Sequence, residues 1–421
     1  VTDTIEPPAE DPAEAAAEEP PEPVVLPPLE LHEPLPGVVD DPDMLAAVLD
    51  QLRAGTGPVA IDAERASGYR YSQRAYLIQL RREGAGTSLI DPVAFDDLRA
   101  LDEVLAPTEW ILHAATQDLP SLAEVGLRPR TLFDTELAGR LLNLPRVGLA
   151  ALVQEVFGMS LAKEHSAADW STRPLPEPWL LYAALDVEPL VGLRDELERR
   201  LDEAGKLEWA QEEFSALLSF TGPPPRAEPW RRTSGIHKVR GARRLALVRS
   251  LWEARDAIAR ERDITPGRVL NDAVIVAIAR ANPASRQELR DLDVMRSRGA
   301  RRYLDTWDTA VTQAREVLER DLPSAASSDA DGPPPARAWP DRNPEAAARL
   351  AAYRTALTAI AERHDLPSEN LLTPEIVRRL AWDDPAGGDQ DAVAEFLTSR
   401  GARPWQVALT AAALAAARSS R

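Results

Sequence analysis

Val59-Ala60-Ile61-Asp62-Ala63-Glu64 decides the reading of this 421-residue chain. The apolar run 59–61, following Gly57-Pro58, predicts a strand. Apolar strands avoid acids, yet Asp62 and Glu64 end this one. At i and i+2 on an extended chain, both side chains project from the same face. Two like charges so close destabilise each other unless a cation sits between them. The alternative is that they open a solvent-exposed loop. Outward from this point, Tyr76-Leu77-Ile78-Gln79-Leu80 and Ser88-Leu89-Ile90 complete a three-stranded meander, and Trp110-Ile111-Leu112 predicts a fourth strand. From Leu132 onward the spacing predicts helix almost throughout, with Leu149, Leu152, Val153 and Val156 on one face. Strands first, with helices on both sides, predict an α/β fold around a sheet of mixed direction.

Two further segments carry isolated acids. Asp118 follows the fourth strand and the turn His113-Ala114-Ala115-Thr116-Gln117, at the start of a predicted helix 119–125 that it could simply cap. In the helical stretch Trp179-Leu180-Leu181-Tyr182-Ala183-Ala184-Leu185-Asp186-Val187, a four-residue step puts Tyr182 and Asp186 on one face. An amphipathic helix whose Asp reaches water gives the same spacing. Taken together, four carboxylates would form an all-oxygen site suited to two divalent ions, Mg²⁺ or Mn²⁺. Spacing alone permits their meeting and does not require it.

The chain has no cysteine, which excludes disulfides, thiol nucleophiles and Cys-ligated zinc and fits a reducing cytoplasm. Its five histidines, at 32, 113, 165, 237 and 364, lack zinc-ligand spacing, and no nucleophile-elbow motif is present. No apolar stretch reaches bilayer-spanning length, and residues 1–36 lack a secretory pattern, so no membrane association is expected. The net charge of −19 is uneven. Residues 1–36 hold ten acids and no base; this Pro/Ala-rich tail is expected to be disordered. In contrast, residues 226–249 hold eight basic residues against one acid, Glu228. Such a run is either a solvated helix face or a phosphate-binding patch.

Proline-rich breaks at 222–229 and 323–344 divide the chain. The blocks that follow the first break are helical and related to each other. Residues 263–283 align without gaps on 365–385 at an offset of 102, with Leu270 on Leu372, Ile275 on Val377, Ala279 on Ala381 and Pro283 on Pro385. The same offset carries Arg298-Gly299-Ala300-Arg301 onto Arg400-Gly401-Ala402-Arg403, as in a duplicated module.

These segments together resemble a known family. Ile61-Asp62-Ala63-Glu64 with residues 76–80, His113-Ala114-Ala115-Thr116-Gln117-Asp118-Leu119, and Tyr182-Ala183-Ala184-Leu185-Asp186-Val187 are similar to the three motifs of DEDDy 3′→5′ exonucleases. Within that family, Asp169-Trp170-Ser171-Thr172-Arg173-Pro174-Leu175 resembles ribonuclease D, and the duplicated module resembles HRDC domains. The resemblance implies α/β plus all-α architecture: an RNase H-like mixed-sheet exonuclease domain at 38–221 followed by two small helical HRDC-like domains. These would occupy 230–321 and, in divergent form, 345–421, with a linker at 322–344 and the acidic tail at 1–37. It implies Asp62, Glu64, Asp118 and Asp186 as ligands of the two ions, and Tyr182 as the group that positions the attacking water. The expected substrate is RNA with a free 3′ end, tRNA precursors among them, shortened to 5′-mononucleotides; no protein partner is implied. Arg231, Arg232, Lys238, Arg240, Arg243 and Arg244 then become candidate RNA contacts, as do Tyr69, Tyr71, Arg74 and Arg173 beside the 3′ end. Trp170 and Trp179 read as core. A DNA-directed 3′→5′ exonuclease and a catalytically idle RNA-binding scaffold are the alternatives.

Overall fold

The computed structural model describes residues 26–162, 165, 167–324, 332–385 and 388–419. Its six strands are β1 (Val38–Val39), β2 (Thr56–Arg65), β3 (Ala75–Glu83), β4 (Gly86–Ile90), β5 (Glu109–Leu112) and β6 (Thr131–Asp134), in the order β1-β4-β3-β2-β5-β6. The meander β2-β3-β4 is antiparallel, whereas β5 joins β2, β6 joins β5 and β1 joins β4 in parallel, so the sheet is mixed as expected. Helical spacing from Leu132 onward hid β6, and β1 gave no sequence signal. Both are short parallel edge strands whose pairing is set by neighbours distant in sequence.

The helices of this part are α1 (Pro42–Ala54), α2 (Arg99–Leu105), α3 (Leu119–Glu124), α4 (Thr135–Leu141), α5 (Leu149–Phe157), α6 (Glu177–Val187), α7 (Leu190–Glu203) and α8 (Leu207–Leu217). Strand alternation divides the sheet into two buried faces. Ile61, Ile78, Leu80 and Ile90 pack with Val48, Leu49 and Leu52 of α1. Leu77 and Leu89 pack instead with Trp170 and with Ala183 and Ala184 of α6. Asp62 pairs with Gln79 and Glu64 with Leu77, so both acids share the face that α6 covers.

The acidic-tail expectation for 1–37 splits: residues 1–25 lie outside the described residues, but 26–37 pack on the sheet domain. Leu29 N donates to Ser160 O at 2.8 Å, Leu31 and Leu35 join the α6-side core, and His32 Nδ1 lies 2.5 Å from buried Glu188.

Beyond the sheet, α9 (Ala242–Arg262), α10 (Pro266–Val269), α11 (Asp272–Ala281), α12 (Arg286–Asp291), α13 (Arg298–Arg301) and α14 (Leu304–Glu316) enclose one core around Trp307. A second core holds α15 (Trp339–Arg342), α16 (Pro344–Arg363), α17 (Ser368–Leu371), α18 (Pro374–Asp383), α19 (Gln390–Ser399) and α20 (Pro404–Ser419). α17 and α18 begin and end 102 residues after α10 and α11. The stretch expected as a linker to 344 is partly folded: Trp339 is fully buried in the C-terminal core, and its Nε1 donates to Pro334 O at 2.7 Å.

Equivalent aspartates join the two helical units to the sheet domain. Asp263 and Asp365 follow α9 and α16 and hold left-handed conformations, φ +46° and +49°. Asp263 Oδ1 accepts from Tyr71 N (3.1 Å) and Ser72 N (2.8 Å), and Oδ2 accepts from Tyr76 Oη (3.2 Å). Burial works against ionisation of Asp263, but these bonds outweigh it and hold the carboxyl below its usual range. Asp365 Oδ1 accepts from Asn143 Nδ2 at 2.7 Å, and its carbonyl accepts from Lys206 Nζ at 2.8 Å. Beside the second joint, Trp405 stacks on Trp209 with centroids 5.0 Å apart.

Candidate active site

Asp62 and Glu64 lie within β2, so the exposed-loop reading does not hold; Glu64 is buried. α6 crosses their face and delivers Asp186 from its last turn. One carboxylate oxygen from each of Asp62, Glu64 and Asp186 lies within 4.8 Å of the other two. Asp118 falls outside that trio of atoms but lines the same cleft of about 360 Å³, together with Tyr182, His113, Arg65, Ser67 and Leu149. It precedes α3, yet its side chain makes no capping bond.

The electrostatics of the cleft are those of crowded acids. Burial raises Glu64 well above the usual carboxylate range, and the charges of Asp62, Asp186 and Asp118 push it further. Burial and then Asp62 do the same to Asp118. Burial, reinforced by Asp62 and opposed by a bond from Tyr182, takes Asp186 to about 8. Asp62 is raised chiefly by burial. A cluster of acids that resists ionisation in the protein alone, with neither thiolate nor imidazole among the donors, fits hard divalent cations.

Tyr182 donates to Asp186 one turn away. Burial, then the charges of Asp186 and Glu64, raise its own pKa, so the phenol keeps its proton. Trp170 is fully buried and Trp179 partly so; the Trp170 ring lies 5.5 Å from Trp179 and 6.4 Å from Tyr182, forming an aromatic wall behind the phenol.

Sequence reasoning missed Asp134. This buried carboxylate caps α4 through Glu136 N (2.9 Å) and Leu137 N (3.1 Å), and also accepts from Ala114 N (3.2 Å) and Ala115 N (2.8 Å). It thereby fixes the turn that presents Asp118, with Ala114 left-handed at φ +58°. The Asp134-Thr135 pair ahead of a helix is a capping signal, but its second role spans 20 residues.

Several candidate RNA contacts are committed elsewhere. The Arg173 guanidinium is forked onto Asp91 (2.5 and 2.7 Å) and donates to Tyr76 O at 2.8 Å, locking two segments of the fold. Tyr71 Oη donates to Asp256 at 3.1 Å and receives Arg260, so the ring belongs to the joint with α9. Tyr69 lies under Arg268, 4.7 Å from its guanidinium. Arg74 is half-buried and reaches Pro92 O at 3.4 Å. Arg231 pairs with Glu228 (2.6 Å) and stacks on Trp230, and Arg243 donates to Arg315 O (3.1 Å) and Val317 O beyond α14. Only Arg232, Lys238, Arg240 and Arg244 of the set are exposed.

Comparison with known proteins agrees with this architecture. The family model described as 3'-5' exonuclease matches residues 36–202. The HRDC domain model matches 244–311, and a model described as 3' to 5' exonuclease C-terminal domain matches 332–417. The ribonuclease D of Acidiphilium cryptum is 30% identical over 362 residues, covering 83% of this chain and 88% of that protein. A crystal structure of a protein from Bifidobacterium adolescentis superposes with a TM-score of 0.86 at 36% identity, over 94% of this chain and all of that one. Escherichia coli RNase D, described as an exoribonuclease involved in structured RNA processing, superposes with a TM-score of 0.64 at 27% identity, over 82% and 91% of the two chains. Fold and cleft define a 3′→5′ exonuclease. Within that class, the chain belongs to the ribonuclease D family and is an exoribonuclease; the DNA-directed and idle-scaffold alternatives are not favoured. Among the described residues, no helix is long and apolar enough to cross a membrane.

Proposed function

We propose that Asp62, Glu64, Asp118 and Asp186 hold two divalent ions, Mg²⁺ or Mn²⁺, at which RNA is shortened from its 3′ end. The observation that carries this reading is the gathering of all four acids in one cleft beside a Tyr182 already bonded to Asp186. Bound there, the ions would activate water and stabilise the leaving oxygen of the phosphodiester. The protein's own groups do the positioning. Tyr182 spends its proton on Asp186, which leaves its oxygen free to accept a hydrogen bond from the attacking water. Because the phenol stays protonated, it orients that water and does not deprotonate it. Leu149, partly exposed at the cleft, offers apolar surface for a base.

Upstream RNA follows the exposed Arg232, Lys238, Arg240 and Arg244 of the first helical unit. Tyr71, Arg173, Arg231 and Arg243 hold the scaffold in this reading. The natural substrates are structured RNAs with 3′ trailers, tRNA precursors among them, met in the cytoplasm. The domains divide as an exonuclease unit from about 26 to 221, an HRDC unit at 230–321 and a second helical unit that begins near 336.

The test uses a 5′-labelled tRNA precursor carrying a 3′ trailer, with Mg²⁺ and then with chelator. Stepwise shortening that stops on chelation and in Asp186→Asn is expected. Internal cuts, or activity that survives either treatment, would overturn the assignment.

A further inference from the structure

His113 lines the cleft but belongs to none of the roles assigned above. Its Nδ1 lies 2.9 Å from Thr135 Oγ1, and that hydroxyl already donates to Leu112 O at 3.3 Å. With its one proton spent, Thr135 accepts from the ring, so the imidazole carries its hydrogen on Nδ1. Burial also pushes His113 down to about 4, against the pull of Glu136, so the ring is neutral at ordinary pH. Nε2 is therefore a bare acceptor, and among the described residues nothing donates to it.

The sheet tells which part of a substrate meets this acceptor. Strand order places the β2–β3 loop and the α9 unit on one side of the carboxylates. His113 follows β5 and bonds to the residue after β6, on the other side. The exposed bases Arg232, Lys238, Arg240 and Arg244 lie on the unit docked to the first side, which suits the many phosphates of the upstream chain. The second side is then left to the single terminal nucleoside, with Leu149 against the base. An acceptor reading a base edge would stall on some of the four nucleotides, whereas every ribonucleotide offers the same sugar hydroxyls.

We propose that His113 Nε2 accepts a hydrogen bond from a hydroxyl of the 3′-terminal ribose and makes the enzyme selective for a ribonucleotide terminus. This rests on the exoribonuclease reading above.

The experiment uses one oligoribonucleotide sequence with three termini: ribose, 2′-deoxyribose and 3′-deoxyribose. Removal of the last nucleotide is followed under single-turnover conditions. Wild type should remove the ribose-terminated nucleotide about tenfold faster than one of the two deoxy forms, the cost of one unmet buried hydrogen bond. Which deoxy form is slow identifies the hydroxyl. In His113→Ala the preference should fall to about one. Thr135→Val, nearly the same shape, frees the tautomer and should reduce the preference even if His113→Ala fails to fold. Equal wild-type rates on all three termini, or a preference that persists in the variants, would overturn the proposal while leaving the exoribonuclease intact. No cleavage of the all-ribose substrate would instead overturn both.

Discussion

Replacing Asp263 perturbs the first joint without touching the cleft. Its carboxylate accepts three hydrogen bonds from the segment 71–76, and the preceding β2–β3 turn supplies Ser67 to the cleft. Asn keeps the shape and tolerates φ +46° but removes the charge and turns an amide toward Tyr76 Oη, at a cost of about 1 kcal/mol. Ala removes all three bonds. Water replaces part of that loss at this partly exposed site, leaving about 2 kcal/mol, and a left-handed Ala adds about 1. Opening of the joint should therefore rise about fivefold in Asp263→Asn and about a hundredfold in Asp263→Ala. Native-state hydrogen exchange at the Tyr71 and Ser72 amides reads this directly, with the KM for RNA rising in the same order. Protection in Asp263→Ala within twofold of wild type would refute the reasoning.

Three other outcomes are expected. In chelator, the acids whose folded pKa values are raised contribute stability that is full below their unfolded values and lost as pH rises through the folded ones; for Asp186 that window runs from 3.8 to about 8. The Tm of metal-free protein should accordingly fall between pH 5 and 8, and Mg²⁺ should flatten the profile; a level profile in chelator would contradict the crowding of charge. Alanine at Arg232, Lys238, Arg240 or Arg244 should each lower the salt slope of RNA affinity by about 0.7, while Arg243→Ala should leave the slope and lower the Tm; the reverse pattern would exchange their roles. Trp405→Ala, which loses the stack on Trp209 and the 3.0 Å bond to Glu213, should cost about 3 kcal/mol in urea unfolding and shift Trp209 emission; a cost below 1 would mean the C-terminal unit is not held there.

The legible parts of the sequence were those whose cause is local. A short apolar run after a Gly-Pro turn identified β2 and the two acids that follow, a four-residue step paired Tyr182 with Asp186, and a constant offset exposed the duplication. The parts that stayed hidden depend on distant partners. An arginine aimed at RNA and one forked onto Asp91, 82 residues away, look the same in a sequence, and nothing local to Arg173 announces its fork. Tyr71 looked like an aromatic for stacking because nothing local announces Asp256 and Arg260. Asp134 reads as a helix cap; its grip on the turn before Asp118 exists only once β5 and β6 lie side by side.

The paired aspartates after α9 and α16 bear on how the molecule assembles. Each presents its carboxylate or carbonyl to the sheet domain from a residue that adopts its left-handed shape when the preceding helix terminates. A helical unit whose long helix ends one residue early or late turns that aspartate away and loses its hydrogen bonds to the sheet domain. Both joints thereby draw part of their strength from the way a helix ends, at equivalent positions of the duplicated module. The duplication copied a point of attachment along with a module.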